Sequence, residues 1–183
     1  MVASGETPAD DLITVSDPGD SEGLPSDEDT GAGTAVNKLP LDGGSYTWES
    51  GIQMTLTVQT VEPYGKKDDF CGDGSCGVAL PEDTRVALKY EVSVPDSYGD
   101  SFDPYSCPGE LHVASGSDDD AFGLVSGDLY RSLDGSILPG TTKFGVQEFY
   151  IKQEYQGAEF YIESSCGDDS FDETAFFAGS FNS

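Results

Sequence analysis

Residues 83–95, "DTRVALKYEVSVP", alternate apolar and polar side chains along most of their length. The apolar positions recur at every second residue and are Val86, Leu88, Tyr90, Val92 and Val94. The polar positions between them include Arg85, Lys89, Glu91 and Ser93. Alternate side chains of an extended chain lie on opposite faces, so this period of two predicts a β-strand with one buried face. It is the clearest strand signal in the chain.

Seven further stretches have strand-like patterns and are separated by Gly, Pro and Asp. They are 45–49, 51–63, 110–115, a part of 123–133, 142–153, 158–164 and 174–181. No stretch keeps a helical apolar period long enough for the helix of a βαβ unit, which argues against a parallel sheet. Seven or eight short strands in about 140 residues therefore predict an all-β protein, folded as an antiparallel β-sandwich.

The N-terminal segment differs in composition from the rest of the chain. Residues 1–40 contain nine acidic residues, one Lys and no aromatic residue, and their one apolar cluster is "LITV" at 12–15. A segment with so little to bury cannot offset the entropy cost of ordering its backbone. The sequence therefore predicts a disordered acidic tether over 1–43, with "LITV" as an alternative edge strand. The β-sandwich domain is predicted over 44–183.

The charge balance limits the function. The chain has 35 acidic and 8 basic residues, a formal net charge of −27 at pH 7. Nucleic acid and anionic lipid bind through clustered Lys and Arg, so nucleic-acid binding is excluded. The acidity is typical of a secreted protein or of one adapted to high salt. No apolar run is long enough to cross a bilayer, and we expect a mature secreted polypeptide whose signal peptide has been removed.

The order of the strand motifs is similar to that of a known family. It runs "SYTWESGIQMTLTVQTVEPYG", "TRVALKYEVSV", "SILPGTTKFGVQEFYI", "AEFYIES" and "AFFAGSF". The chain resembles the Ig-like extracellular domain of bacterial lipoproteins, especially actinobacterial ones, a family labelled as a domain of unknown function or an immunoprotective extracellular domain. One departure is "VPDSYGD", where family members carry an Asn-rich turn. The resemblance implies an Ig-like sandwich, tethered outside the cell by a linker from a lipidated cysteine before residue 2, and supplies no catalytic residues.

The cysteines, Cys71, Cys76, Cys107 and Cys166, are even in number, as disulfide pairing requires. The C-x4-C spacing in "DDFCGDGSCG" offers zinc as an alternative, but the other two cysteines lie far apart and His112 is the only histidine. A redox motif would need C-x-x-C. Of three connectivities, we expect Cys71–Cys76 with Cys107–Cys166. Disulfides indicate an oxidising, extracellular compartment.

Other site chemistry has weak support in the sequence. Acidic loops at 115–123 and 166–173 offer oxygen ligands for calcium, but an EF-hand template that begins at Asp118 places apolar residues at ligand positions. No G-x-S-x-G motif is present, and His112 lies between two apolar residues, which predicts the outward face of a strand. We predict no cofactor, no metal and no catalytic residue, with an irregular calcium site as a minor alternative.

Most aromatic residues are expected in the core, because sandwich strands bury alternate large side chains. In "EFYIK" and "EFYIE", however, Phe and Tyr are adjacent and therefore face opposite sides of a sheet. The loop at 96–106, "DSYGDSFDPYS", adds further aromatic residues outside the strands. The candidate contact surface consists of Tyr98, Phe102, Tyr105, Tyr150 and Tyr161.

These patterns predict a secreted or surface-anchored binding module without enzymatic activity, whose partner is a protein or glycan at the cell surface. Two alternatives stay open. One is a structural subunit of a surface layer, fibre or virion that assembles through its edge strands. The other is an extracellular hydrolase, which would need His112 or a compact group of Asp side chains in a concave site.

Overall fold

A computed structural model describes residues 31–70, 72, 77–115, 121–167 and 173–181. These residues form an all-β structure with one short 3₁₀ helix, Gln153–Tyr155. The strands are β1 (Leu39–Pro40), β2 (Ser45–Thr47), β3 (Gln53–Pro63), β4 (Asp68–Asp69), β5 (Val78–Ala79), β6 (Thr84–Ser93), β7 (Glu110–Val113), β8 (Phe122–Val125), β9 (Thr142–Ile151), β10 (Glu159–Ser164) and β11 (Ala175–Ser180).

The strands form two larger sheets and one hairpin. One sheet has five strands in the order β2-β3-β6-β9-β8, and the other has four strands in the order β1-β11-β10-β7. Neighbouring strands run antiparallel, except that β1 is parallel to β11. The hairpin of β4 and β5 lies in the connection between β3 and β6. The prediction of an all-β, antiparallel architecture is confirmed.

Each of the eight predicted segments contains a strand. The segment 123–133 contributes mainly to β8, and a single bridge between Arg131 and Val146 follows. The sequence pattern does not reveal β1, β4 and β5, because two residues are too few to display an alternation. The described residues therefore contain eleven strands, where the pattern predicts seven or eight.

β6 lies in the middle of the five-stranded sheet and pairs with β3 and β9. Its residues Val86, Leu88 and Val92 are completely buried, as their alternation predicts. They belong to one apolar cluster that also contains Phe160 and Ile162 of β10, in the other sheet. The two sheets therefore share a single core.

Four phenylalanines join the sheets at the centre of this core. Phe149 of β9 and Phe160 of β10 each contact Phe122 and Phe181, with ring centroids 5.6–6.4 Å apart. Phe149 and Phe160 are completely buried. Burial of one such side chain is worth roughly 1.5–3 kcal/mol, so this group is a large part of what holds the sheets together.

The folded domain begins before residue 44. β1 pairs with β11, and Leu41 is buried in the core shared by the two sheets. The main-chain N–H of Phe176 donates a hydrogen bond to the carbonyl oxygen of Gly33 at 2.8 Å. Part of the predicted tether, which includes Gly33, Leu39 and Leu41, therefore packs on the folded domain. Leu39 and Leu41 give this part apolar surface to bury. Residues 1–30 lie outside the described residues.

Cys107 and Cys166 form a disulfide, as predicted, with Cα atoms 4.7 Å apart. It ties the loop before β7 to the segment that follows β10, and Cys166 is completely buried. The two cysteines are separated by 59 residues. In the loop-entropy account, closing a ring of this length raises the free energy of the unfolded chain by roughly 4 kcal/mol. The other predicted pair, Cys71 and Cys76, lies outside the described residues.

Glu173 fastens the segment before β11 to the end of β2. Its carboxylate accepts hydrogen bonds from the hydroxyl of Tyr46 at 2.6 Å and from the main-chain N–H of Glu49 at 2.9 Å. Its carbonyl oxygen accepts a third, from the indole N–H of Trp48 at 3.1 Å. Burial, together with the hydrogen bond and negative charge of Glu173, raises the pKa of Tyr46 to about 12.

The raised pKa of Tyr46 predicts a loss of stability in alkali. The phenol ionises near pH 10 in the unfolded chain and only near 12 in the folded protein, so the free energy of unfolding should fall as the pH rises between these values. Tyr46→Phe should flatten part of this fall in urea titrations from about pH 9 to about 12. An unchanged fall in the Tyr46→Phe variant would contradict the assignment.

Adjacent residues of β10 provide a direct test of the two-sheet core. Phe160 is completely buried and its neighbour Tyr161 lies on the opposite face. We expect Phe160→Ala to lower the free energy of unfolding by about 3–5 kcal/mol, because it leaves a cavity between the sheets. Tyr161→Ala should cost less than about 1.5 kcal/mol, since it removes mainly a ring contact on the outer face. Equal losses in chemical denaturation would contradict the assigned faces.

Candidate binding site

A groove of about 700 Å³ lies beside the disulfide, where the loop before β7 meets β7 and β10. We call it the rim groove. Its walls are lined by Tyr105, Ser106, Cys107, Gly109, Glu110, His112, Gln147, Glu163 and Ser165. The loop is held in place by the disulfide and by the hydroxyl of Ser106, which donates to the carbonyl oxygen of Ser165 at 2.9 Å. The groove is therefore formed by chain segments that cannot separate freely.

The outer face of β7 and β10 carries two cross-strand pairs at this groove. Leu111 and Val113 of β7 are buried in the core, so the residues between and before them face outward. His112 lies opposite Tyr161 in the register, and their rings stack with centroids 4.9 Å apart. The ammonium group of Lys38 lies over the ring of Tyr161, 5.7 Å from its centroid. The outward position that the alternation predicts for His112 thus has an aromatic neighbour.

Glu110 and Glu163 form the second pair. They are register partners of β7 and β10, both are exposed, and both line the rim groove. Like charges directly opposite each other in a sheet repel. Among the described residues, no Lys or Arg lies within salt-bridge distance of either carboxylate. The groove therefore has an uncompensated negative charge, which the sequence did not reveal because it depends on the strand register.

Tyr105 is the most exposed aromatic residue in the described part of the chain, at 94%. It lines the rim groove, so the structure brings two predicted contact residues, Tyr105 and Tyr161, to the same region. Tyr98 is half-buried and packs edge-on against Phe102. Phe102 is only 4% exposed and is bridged to Ile137. Its prediction as a contact residue is wrong, because the loop folds back and inserts this ring into the end of the core.

Tyr150 is also wrongly predicted as a contact residue. It faces away from the shared core, as its alternation with Phe149 predicts, but it is only 3% exposed. The connection that contains β4 and β5 covers it: Phe70 stacks on its ring at 5.6 Å, and Tyr64 packs edge-on at 6.3 Å. A side chain at Gly123 would collide with the ring, so glycine lets the neighbouring strand β8 pass closely. Burial raises the pKa of Tyr150.

A second cavity, of about 620 Å³, lies next to this aromatic group. Its most buried charged side chain is Glu148 of β9, which is 1% exposed. One carboxylate oxygen accepts a hydrogen bond from the Nε–H of Arg85, and the other accepts one from the main-chain N–H of Leu129 at 3.1 Å. Arg85 also reaches Glu62 at 3.4 Å. The sequence contains these charges on two neighbouring strands, but only their register makes them partners.

The electrostatics of this cavity follow from these contacts. The hydrogen bond and charge of Glu148 raise the pKa of Arg85, so the guanidinium group stays charged. Burial raises the pKa of Tyr64, and the nearby charge of Asp68 adds to this effect. Asp68 itself pairs with Lys66 at 2.8 Å on the open side of the cavity, which lowers the pKa of the carboxyl group. Arg85 and Lys66 thus each pair with a carboxylate of this cavity, whereas Glu110 and Glu163 of the rim groove pair with no Lys or Arg of the described residues.

The two alternatives, a calcium site and a hydrolase, depend on the positions of different residues. Most of the acidic loops at 115–123 and 166–173 lies outside the described residues. In the described part of the chain, no group of three or more His, Cys, Asp or Glu side chains is arranged to hold a metal ion. His112 lines a concave site, which is the position that the hydrolase alternative requires, and its ring stacks on Tyr161. The hydrolase stays a prediction.

No helix among the described residues is long and apolar enough to span a lipid bilayer. Comparisons with protein-family models, with curated proteins and with solved structures find no significant match to this chain.

The buried Glu148 predicts a specific stability cost. Glu148→Ala leaves Arg85 without its buried partner, and we expect a loss of about 2 kcal/mol. This is below the roughly 3–5 kcal/mol of a fully buried pair, because Arg85 is partly exposed and keeps Glu62. Arg85→Met combined with Glu148→Leu should recover much of this loss. Urea unfolding of the unaltered protein, Arg85→Met, Glu148→Leu and the double variant gives the coupling energy, and a coupling near zero would contradict a structural role for the pair.

Proposed function

We propose that this protein is an extracellular, surface-anchored binding module with an Ig-like sandwich fold, and that its rim groove holds a basic segment of a partner protein. The single observation that carries the proposal is the composition of the groove. It combines an almost fully exposed Tyr105 with facing carboxylates, Glu110 and Glu163, that have no basic partner in the described residues.

The order of the strands supports an Ig-like sandwich. The chain passes from one sheet to the other between β6 and β7, between β7 and β8, and between β9 and β10. Such crossings are typical of Greek-key sandwiches, in which inward residues of both sheets fill one core. The resemblance of residues 44–182 to the extracellular domains of bacterial lipoproteins agrees with this arrangement.

The disulfide between Cys107 and Cys166 supports the extracellular part of the proposal. Disulfides form and persist in oxidising compartments and are rare in the cytosol. The bond also has a local role, because it fixes the loop that carries Tyr105 against the end of β10. A contact residue on a tethered loop loses less conformational freedom on binding than one on a free loop.

The aromatic side chains of the groove are suited to a protein contact. Tyrosine is enriched at interaction hot spots, where its ring supplies apolar area and its hydroxyl a hydrogen bond. Tyr105 projects into solvent, and the stacked rings of His112 and Tyr161 lie nearby. The aliphatic stem of a Lys or Arg side chain can pack on such rings while its charged end reaches a carboxylate.

The charges of the groove favour a basic partner. Glu110 and Glu163 repel each other until a cation lies between them, so a Lys or Arg side chain gains energy at this position. The net charge of −27 adds a long-range attraction that raises the rate of association with basic partners. Both contributions weaken with salt, which distinguishes this contact from a purely apolar one.

Peptide binding tests this proposal. A short peptide rich in Lys should bind the protein, and its counterpart with Glu in place of Lys should not. Tyr105→Ala should weaken binding of the Lys peptide by about tenfold, as expected for a central aromatic contact. Glu163→Gln should weaken it and reduce its dependence on salt. Calorimetric titrations at two salt concentrations measure both effects.

Two matched variants control for non-specific attraction to an acidic protein. Tyr130→Ala removes another exposed tyrosine, and Glu154→Gln removes an exposed carboxylate outside the groove. Both should bind the Lys peptide like the unaltered protein. If they weaken binding as much as Tyr105→Ala and Glu163→Gln do, the rim groove is not the site.

A further inference from the structure

We propose that a second groove, between residues 131–134 and the start of β9, binds an acidic oligosaccharide, a short sugar chain that carries carboxylate groups. We call it the edge groove. It has a volume of about 510 Å³ and is lined by Arg131, Ser132, Leu133, Asp134, Thr142, Lys143 and Phe144. None of these residues lines the rim groove, so this inference goes beyond the proposed function and does not depend on it.

Basic side chains are concentrated around Phe144. The whole chain contains only eight Lys and Arg residues, and three of them surround this ring or line the groove beside it. The guanidinium carbon of Arg131 lies 4.2 Å from the ring centroid, and the ammonium group of Lys89 lies 4.9 Å from it. Lys143 precedes Phe144 in β9. An acidic protein thus has a local positive patch, held in place by cation–π contacts.

These cations keep hydrogen-bond donors for an anion. Arg131 is exposed, and no carboxylate of the described residues lies within salt-bridge distance of it. Lys143 donates to the carbonyl oxygens of Asp134 at 3.3 Å and of Ser136 at 3.0 Å, so one of its three N–H groups is left for a ligand. Lys89 already pairs with Glu91. Arg131 and Lys143 are therefore the side chains that would bind a carboxylate, and a guanidinium group can do so with two parallel bonds.

The remaining walls favour a sugar over an acidic peptide. Ser132 donates to the carboxylate of Asp134 at 2.6 Å, and Thr142 forms a hydrogen bond with Ser93 at 2.7 Å. Asp134 thus places acceptor oxygens in the groove, and sugar hydroxyls can donate to them. A sugar acid has hydroxyl donors on the same ring as its carboxylate, whereas the N–H donors of a Glu-rich peptide lie on its main chain, several bonds from the side-chain carboxylates. An acidic sugar satisfies the cations and the acceptors together.

The overall charge limits the length of the ligand. The net charge of −27 repels any polyanion at long range, but at physiological salt this repulsion is screened beyond about 8 Å. A contact within the groove is screened less than the distant charges are. A short oligosaccharide therefore keeps the local attraction of Arg131 and Lys143 while it avoids most of the surrounding acidic surface.

Trigalacturonate and its neutral counterpart, a galactose trisaccharide, are the probes that test this site. Trigalacturonate should bind at physiological salt and shift the NMR amide signals of Lys143 and Phe144. Arg131→Gln should weaken this binding by about tenfold, and Lys143→Gln should weaken it less. Urea unfolding of each variant verifies that the fold is intact.

Lys67→Gln is the matched control, since it removes an exposed positive charge outside the edge groove. It should bind trigalacturonate like the unaltered protein. The proposal is overturned if the neutral trisaccharide binds as tightly as trigalacturonate, or if Lys67→Gln weakens binding as much as Arg131→Gln. Equal affinity for a triglutamate peptide would also overturn it, because the surface would then recognise acidic peptides rather than sugars.

Discussion

The shared apolar layer between the two sheets is the constraint on which the rest of the structure depends. Phe149 and Phe160 meet the same two phenylalanines from opposite sheets, and the central strand β6 supplies the surrounding aliphatic side chains. Because strand side chains alternate strictly, burial of one residue commits its neighbours to the other face. The core therefore decides which polar groups meet on the outside of each sheet.

The outer faces of the two sheets differ in exposure and in charge pairing. On the five-stranded sheet, Tyr150 and Glu148 are covered by neighbouring segments of the chain, and Glu148 is paired with Arg85. On the four-stranded sheet, Glu110 and Glu163 stay exposed and uncompensated within the described residues. A covered face with a paired carboxylate contributes to the stability of the fold. Exposed carboxylates without a Lys or Arg neighbour can form favourable contacts with a cation of a partner.

Because basic residues are scarce, each of them has a large effect on the local charge. With 35 acidic residues against 8 basic ones, most carboxylates have no ion-pair partner available and rely on solvent. Arg85 and Lys66 pair with carboxylates that line the second cavity, and Lys89 and Arg131 flank Phe144. In the described part of the chain, the acidic surface thus has a local positive patch at Phe144, and the proposed basic partner and acidic sugar would bind at separate grooves.

By itself the sequence determined the all-β class, the positions of the longer strands and the inward faces, because alternation is a local property. The even number of cysteines predicted disulfides, but only the tertiary structure decided that Cys107 pairs with Cys166. Only the tertiary structure decided that Phe102 and Tyr150 are buried and that Tyr105 is exposed, since burial depends on which segment folds over which face. The pairing of Glu110 with Glu163 likewise depends on strand register. Register joins residues far apart in sequence, and no local pattern contains it.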